Sequence, residues 1–149
     1  MAWETRRTGA AYELLAPDGS EIRLLVRVPG ASMVHCTLQS GQVTQAVRHR
    51  TVEEMWFCVA GAGQMWRRHS PTPTPTPTPT PPTEARSESP SEEVVDLEPG
   101  VALSIPLGVA FQFRASGSRP LEVVIATIPS WPGEDEAVPV EGVWEATPR

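Results

Sequence analysis

Residues 53–69, EEMWFCVAGAGQMWRRH, restrict what this chain can fold into more than any other stretch. An apolar run, Met55 to Ala60, stops at the glycine turn Gly61-Ala62-Gly63, and a second run, Gln64 to His69, follows. Strand residues alternate faces, so Glu54, Trp56, Cys58 and Ala60 share one side while Met55, Phe57 and Val59 share the other. The two runs predict a hairpin across the glycines. A carboxylate opening a buried strand is costly unless it is paired, hydrogen-bonded or coordinating something. Glu54, with His49 five residues before it, therefore marks where a site should lie.

The same punctuation recurs along the chain. Tyr12 to Leu15 and Glu21 to Val28 flank the turn Pro17-Asp18-Gly19-Ser20 and read as a hairpin. Ser32 to Gln39 follows Pro29-Gly30, and Gln42 to Val47 leads into the His49 segment. Val94 to Leu97, Val101 to Ile105, Val109 to Ala115 and Leu121 to Ile128 are separated by Gly- and Pro-bearing turns. About nine short strands without helical periodicity specify an all-β sandwich or barrel.

Residues 70–93 are of another kind, with five consecutive Pro-Thr dipeptides from Pro71 to Thr80. Proline removes backbone donors and fixes φ, so the segment is expected to stay out of any sheet as a disordered, partly polyproline II loop. The 149 residues then read as one domain with an arm (1–11), this loop, and a proline-rich strap (129–149) anchored by Trp131 and Trp144. All five Trp residues, 3, 56, 66, 131 and 144, are expected to dominate the packing.

A net charge of −6 without a basic stripe argues against nucleic acid as a partner. The chain contains no Lys, which excludes Schiff-base chemistry on a lysine. Cys36 and Cys58 lie in apolar strands and read as buried free thiols. No apolar run approaches the roughly 18 residues that span a membrane. With no signal peptide read at Met1-Ala2-Trp3-Glu4, a cytoplasmic location is expected.

Two residue patterns carry a family resemblance. Gly41, Val47, Arg48, His49, Glu54 and Gly61 match the first motif of the cupins: a glycine, two His positions separated by one residue, a Glu, then six residues and a second glycine. Gly100, Pro106, Gly108 and Phe111 match the second, with Phe111 standing where that motif has its last His. The chain thus resembles a small single-domain cupin, which implies a double-stranded β-helix, or jelly-roll barrel, with the Pro-Thr insertion in the gap between motifs. The resemblance also implies a homodimer.

A metal-binding cupin uses three His and the Glu. Here His49 and Glu54 occupy ligand positions, whereas Val47 and Phe111 offer hydrocarbon. His35 is a conceivable third ligand. Gln112 is one residue out of phase and is expected on the opposite face. The expected cofactor is thus none, or a weakly bound divalent transition metal. Metal-free cupins include sugar-nucleotide epimerases working by acid–base chemistry. The reading is a small-molecule-binding cupin, an isomerase, cyclase or lyase of a biosynthetic pathway, with Glu54 as acid or base and His49 as its partner. Trp56, Trp66, Phe111 and Phe113 are the candidate ligand-binding residues, although barrel packing explains them equally. The alternatives are a non-enzymatic binding or sensing module and a metal-dependent dioxygenase or isomerase with atypical ligands.

Overall fold

The computed structural model describes residues 2–69 and 91–148. The Pro-Thr repeat and its expected disorder lie outside these residues. Eleven strands form among them: β1 (Leu14–Leu15), β2 (Glu21–Val28), β3 (Ala31–Leu38), β4 (Val47–His49), β5 (Glu53–Ala60), β6 (Ala62–Arg68), β7 (Glu92–Leu97), β8 (Ala102–Ile105), β9 (Ala110–Ser116), β10 (Leu121–Ile128) and β11 (Ala137–Pro139). They make two antiparallel sheets, ordered β1-β2-β3-β10-β5-β8 and β11-β4-β9-β6-β7.

The hairpin expected across Gly61-Ala62-Gly63 does not form. β5 pairs with β10 and β8, whereas β6 pairs with β9 and β7, so the glycines carry the chain from one sheet to the other. The crossing needs them. A Cβ on Gly61, whose φ is +79°, would lie 2.2 Å from the Pro120 carbonyl oxygen, and one on Gly63 would lie 2.2 Å from that of Arg114. The β1–β2 hairpin forms as expected, with Leu14 opposite Ile22.

Alternation decides the core. Along β5, Glu54, Trp56 and Cys58 are buried, and Met55, Phe57 and Val59 are exposed. The space between the sheets is filled from one side by Ile22, Cys36 and Trp56, and from the other by Met65, Phe111 and Phe113. Cys36 and Cys58 are both free and buried. Each fully buried large side chain contributes roughly 1.5–3 kcal/mol.

Three expectations are corrected. Among the described residues Trp3 is left outside the packing, at 93% exposure, because the arm runs outside the barrel, where Arg23 donates to the carbonyl oxygens of Gly9 and Ala10. The low-complexity segment does not extend to residue 93, because Glu92 and Glu93 join β7 opposite Arg68 and Arg67. Arg67 and Glu93 form an ion pair there, which supports the register. The tail is not wholly irregular: β11 pairs with β4, and Glu134–Glu136 form a short 3-10 turn.

The tail covers the outer face of the five-stranded sheet. Gln112 points that way, as its phase predicts, and its amide is fully used: Nε2 donates to the carbonyl oxygens of Thr44 (2.9 Å) and Trp144 (2.7 Å), and Oε1 accepts from the Val143 and Trp144 amides (3.0 Å each). Trp66, opposite Gln112, packs on that face with Ala46, Ala110, Val140 and Trp144. Arg114 lies 4.2 Å above the Trp144 ring.

Candidate functional site

A cavity of about 580 Å³ opens between the sheets. Its buried wall includes Ile22, Val47, Trp56, Phe111 and Ile125, with Ser20, His49, Glu54 and Thr127 as the buried polar lining. Each position follows from strand phase. His49 ends β4 on the side of Val47, Glu54 and Trp56 are inward on β5, and Thr127 continues the inward row Leu121, Val123, Ile125 of β10.

Glu54 accepts hydrogen bonds on both oxygens, from Trp56 Nε1 to Oε1 (3.1 Å) and from Thr127 Oγ1 to Oε2 (3.2 Å). Burial nonetheless pushes its carboxyl from 4.5 up to about 7; the two hydrogen bonds oppose this, and the charges of Asp18 and Glu136 add to it. His49 Nδ1 lies 3.9 Å from Glu54 Oε1. Burial lowers the His49 imidazole from 6.5 to about 4, with Glu136 opposing. The distance alone would suggest an ion pair. The two shifts run the other way, toward two neutral groups, and desolvation decides because 3.9 Å is too long for a hydrogen bond. His49 Nδ1 is buried and has no hydrogen-bond partner among the described residues. The ring is held edge-on between Phe111 (5.2 Å) and Trp131 (5.3 Å).

The tail belongs to the site. Trp131, Gly133 and Ala137 line the cavity. The buried Glu136 carboxylate clamps the turn after His49, accepting from the amides of Thr51 (2.5 Å) and Val52 (2.8 Å) and from Thr51 Oγ1 (2.8 Å). Burial would raise this carboxyl, but those hydrogen bonds and His49 hold it below its ordinary value.

Of the residues the sequence singles out, the structure brings His49, Glu54, Trp56 and Phe111 together around the cavity. Phe113 sits behind them, wholly buried against Trp56 and outside the lining. Trp66 is on the far side of its sheet, because Met65 takes the inward position. His35 faces outward on β3 and meets Glu122 on β10 at 3.2 Å, so it does not join His49 and Glu54. Ser20, Thr127, Trp131 and Glu136 were not expected at the site. Thr127 was within reach of sequence reasoning, since β10 alternates strictly; Glu136 carries no local signal.

No family model matches the chain, and no curated protein matches it in sequence. Solved structures do match. CapF, a capsular polysaccharide assembling protein from Staphylococcus aureus, superposes with a TM-score of 0.63 at 12% identity, over 83% of this chain and 32% of that one. The cupin domain of Cnp3 from Schizosaccharomyces pombe gives 0.55 at 6% identity, over 74% and 64%. Oxalate decarboxylase from Bacillus subtilis, a protein with Mn(II) centres, gives 0.52 at 12%, over 76% and 26%. The chain spans only about a third of CapF. At these identities the likeness is one of fold, and that fold is the cupin jelly roll.

The donor set does not fit the metal that some cupins hold. Val47 and Phe111, facing the cavity beside His49, present no lone pair. Among the described residues, no group of three His, Cys, Asp or Glu is placed to share an ion. Two protein ligands fall short of the three that a catalytic transition metal ordinarily takes. Nor does any helix among these residues have the length and apolarity to cross a membrane.

Proposed function

We propose that this chain binds a small organic molecule in the jelly-roll cavity and that Glu54 exchanges a proton with it. The observation that carries the reading is the Glu54 carboxyl, poised at about 7 on the wall of a cavity large enough for a small ligand. General acid–base catalysis is most effective when the catalytic pKa lies near the working pH. Protonated, Glu54 donates to a ligand atom; ionised, it abstracts a proton, and Trp56 and Thr127 steady the charge. An isomerase, cyclase or lyase type of reaction would use Glu54 in this way, with the neutral His49 beside it as its partner. A non-enzymatic binder would use the same cavity without turnover.

The test is a small-molecule screen by thermal shift against the wild type and Ile125→Trp, which fills the cavity. Ligands that stabilise only the wild type support the reading, provided the variant remains folded by circular dichroism. Ligands that stabilise both equally bind elsewhere and contradict it. For any ligand that is turned over, Glu54→Gln should bind but not convert it.

The exposed outer face of the six-stranded sheet, with Met33, Met55 and Phe57, supports a homodimer as part of this reading.

A further inference from the structure

Charge is distributed unevenly around the cavity. The charged lining residues Glu4, Arg6 and Arg27 are exposed, and Asp18 is half-buried. Arg6 is engaged with the Leu24 carbonyl (3.1 Å) and Glu13 (3.6 Å), and Asp18 Oδ1 accepts from both Ser20 N and Ser20 Oγ. The buried wall holds no cation, so a ligand anion brought to its depth would lose its water without gaining a counter-charge. A ligand cation would find Glu54, but forming that pair desolvates two ions, and the Coulomb gain repays this only with excellent geometry.

An uncharged oxygen meets neither cost. Each Glu54 oxygen already has one hydrogen bond from the protein, and His49 Nδ1, 3.9 Å from Oε1, is beyond hydrogen-bond reach of the carboxyl. That imidazole nitrogen is itself buried and unpartnered on a side chain only 5% exposed. Buried polar groups in native proteins are ordinarily satisfied, so the pair is short of one hydrogen-bonding group. Around it stand Trp56, Phe111 and Trp131, surfaces suited to an apolar, flat body.

Resting on the small-molecule reading above, we infer that the ligand is an apolar, ring-bearing molecule whose buried end carries an uncharged carbonyl or hydroxyl oxygen against Glu54 and His49, any ionic group staying at the mouth. The ligand oxygen takes the place of the missing partner. Glu54 donates to it, and the aromatic rings hold the body.

Four probes sharing one ring system test this by calorimetry on the whole chain: naphthalene, 2-naphthol, 2-naphthoate and 2-naphthylmethylammonium. The expected result is that 2-naphthol binds at least on the order of tenfold more tightly than either ion, and more tightly than naphthalene. Glu54→Leu should erase the advantage of 2-naphthol over naphthalene, while Glu54→Gln, which keeps a hydrogen-bonding group, should preserve most of it. Either ion binding as tightly as 2-naphthol would overturn the inference and leave the cavity reading intact. If no probe binds, not even naphthalene, the inference falls, while the small-molecule reading stands or falls by the screen against Ile125→Trp.

Discussion

His49 Nδ1 stands 3.9 Å from Glu54 Oε1, at ion-pair distance, and yet burial holds both groups neutral. A pair of this kind acts differently from a salt bridge. Between about 4 and about 7 it carries no charge in the folded protein, and each member opposes the other's effect on how stability varies with pH.

The signs follow from linkage. The Glu54 carboxyl rises from 4.5 to about 7, so the folded chain holds the extra proton between these values. The cost of burying it is absent below 4.5 and complete above 7. The His49 imidazole falls from 6.5 to about 4, so its cost is absent above 6.5 and complete below 4. Across the shared window the two slopes cancel. Glu54→Gln should therefore gain on the wild type by on the order of 3 kcal/mol as pH rises from about 5 to about 8. His49→Gln should gain on it as pH falls from about 7 to about 4. Urea titrations across pH measure both, and difference curves without slope would contradict the neutral pair.

Glu136 should matter to stability far more than its place in an acidic tail suggests. Glu136→Ala leaves the amide of Val52, a wholly buried residue, without its acceptor and frees the tail from the turn after His49. A loss of roughly 2–4 kcal/mol is expected, with Glu136→Gln milder because it keeps an acceptor. Equal midpoints for Ala, Gln and wild type would show that the clamp contributes nothing.

Purified protein should carry clearly less than one transition-metal ion per chain. Val47 and Phe111 replace two donors with hydrocarbon, and His35 is occupied with Glu122 on the outer face. Elemental analysis of the wild type beside His49→Ala and Glu54→Ala decides the matter. Stoichiometric metal in the wild type, lost in both variants, would overturn this account of the donor set.

Replacing residues 71–90 with a short Gly-Ser linker should leave the thermal midpoint within a few degrees. The replaced stretch has no apolar residue besides Pro and Ala85, and the strands on either side are already joined, with the His69 amide donating to the Ser91 carbonyl at 2.9 Å. Closing a long surface loop costs little more than closing a short one. Aggregation of the shortened chain would mean that the repeat packs on the barrel.

Much of this was legible in the residues. Alternation along 53–60 assigns the inner face of β5 correctly, and the glycine–proline skeleton carries the resemblance that implies the jelly roll. Pairing was less legible, because alternation says which face a residue takes but not which strand lies beside it; the glycines after Ala60 serve a sheet crossing as well as a hairpin. Trp66 misleads because Met65 and Trp66 are both buried, one by the opposite sheet and the other by the tail. Phase alone cannot separate a cavity wall from a strap-covered face. Glu136 is a long-range partner of Thr51, some eighty residues away, and no local pattern announces it.

The central claim is that Glu54 keeps its proton to near neutrality inside the cavity, and its own titration tests this most directly. Carbon-detected NMR of glutamate carboxyls across pH should show one resonance titrating at about 7, absent from Glu54→Gln. If every glutamate resonance titrates in the ordinary range near 4.5, the carboxyl is ionised at neutral pH and the neutral pair does not exist.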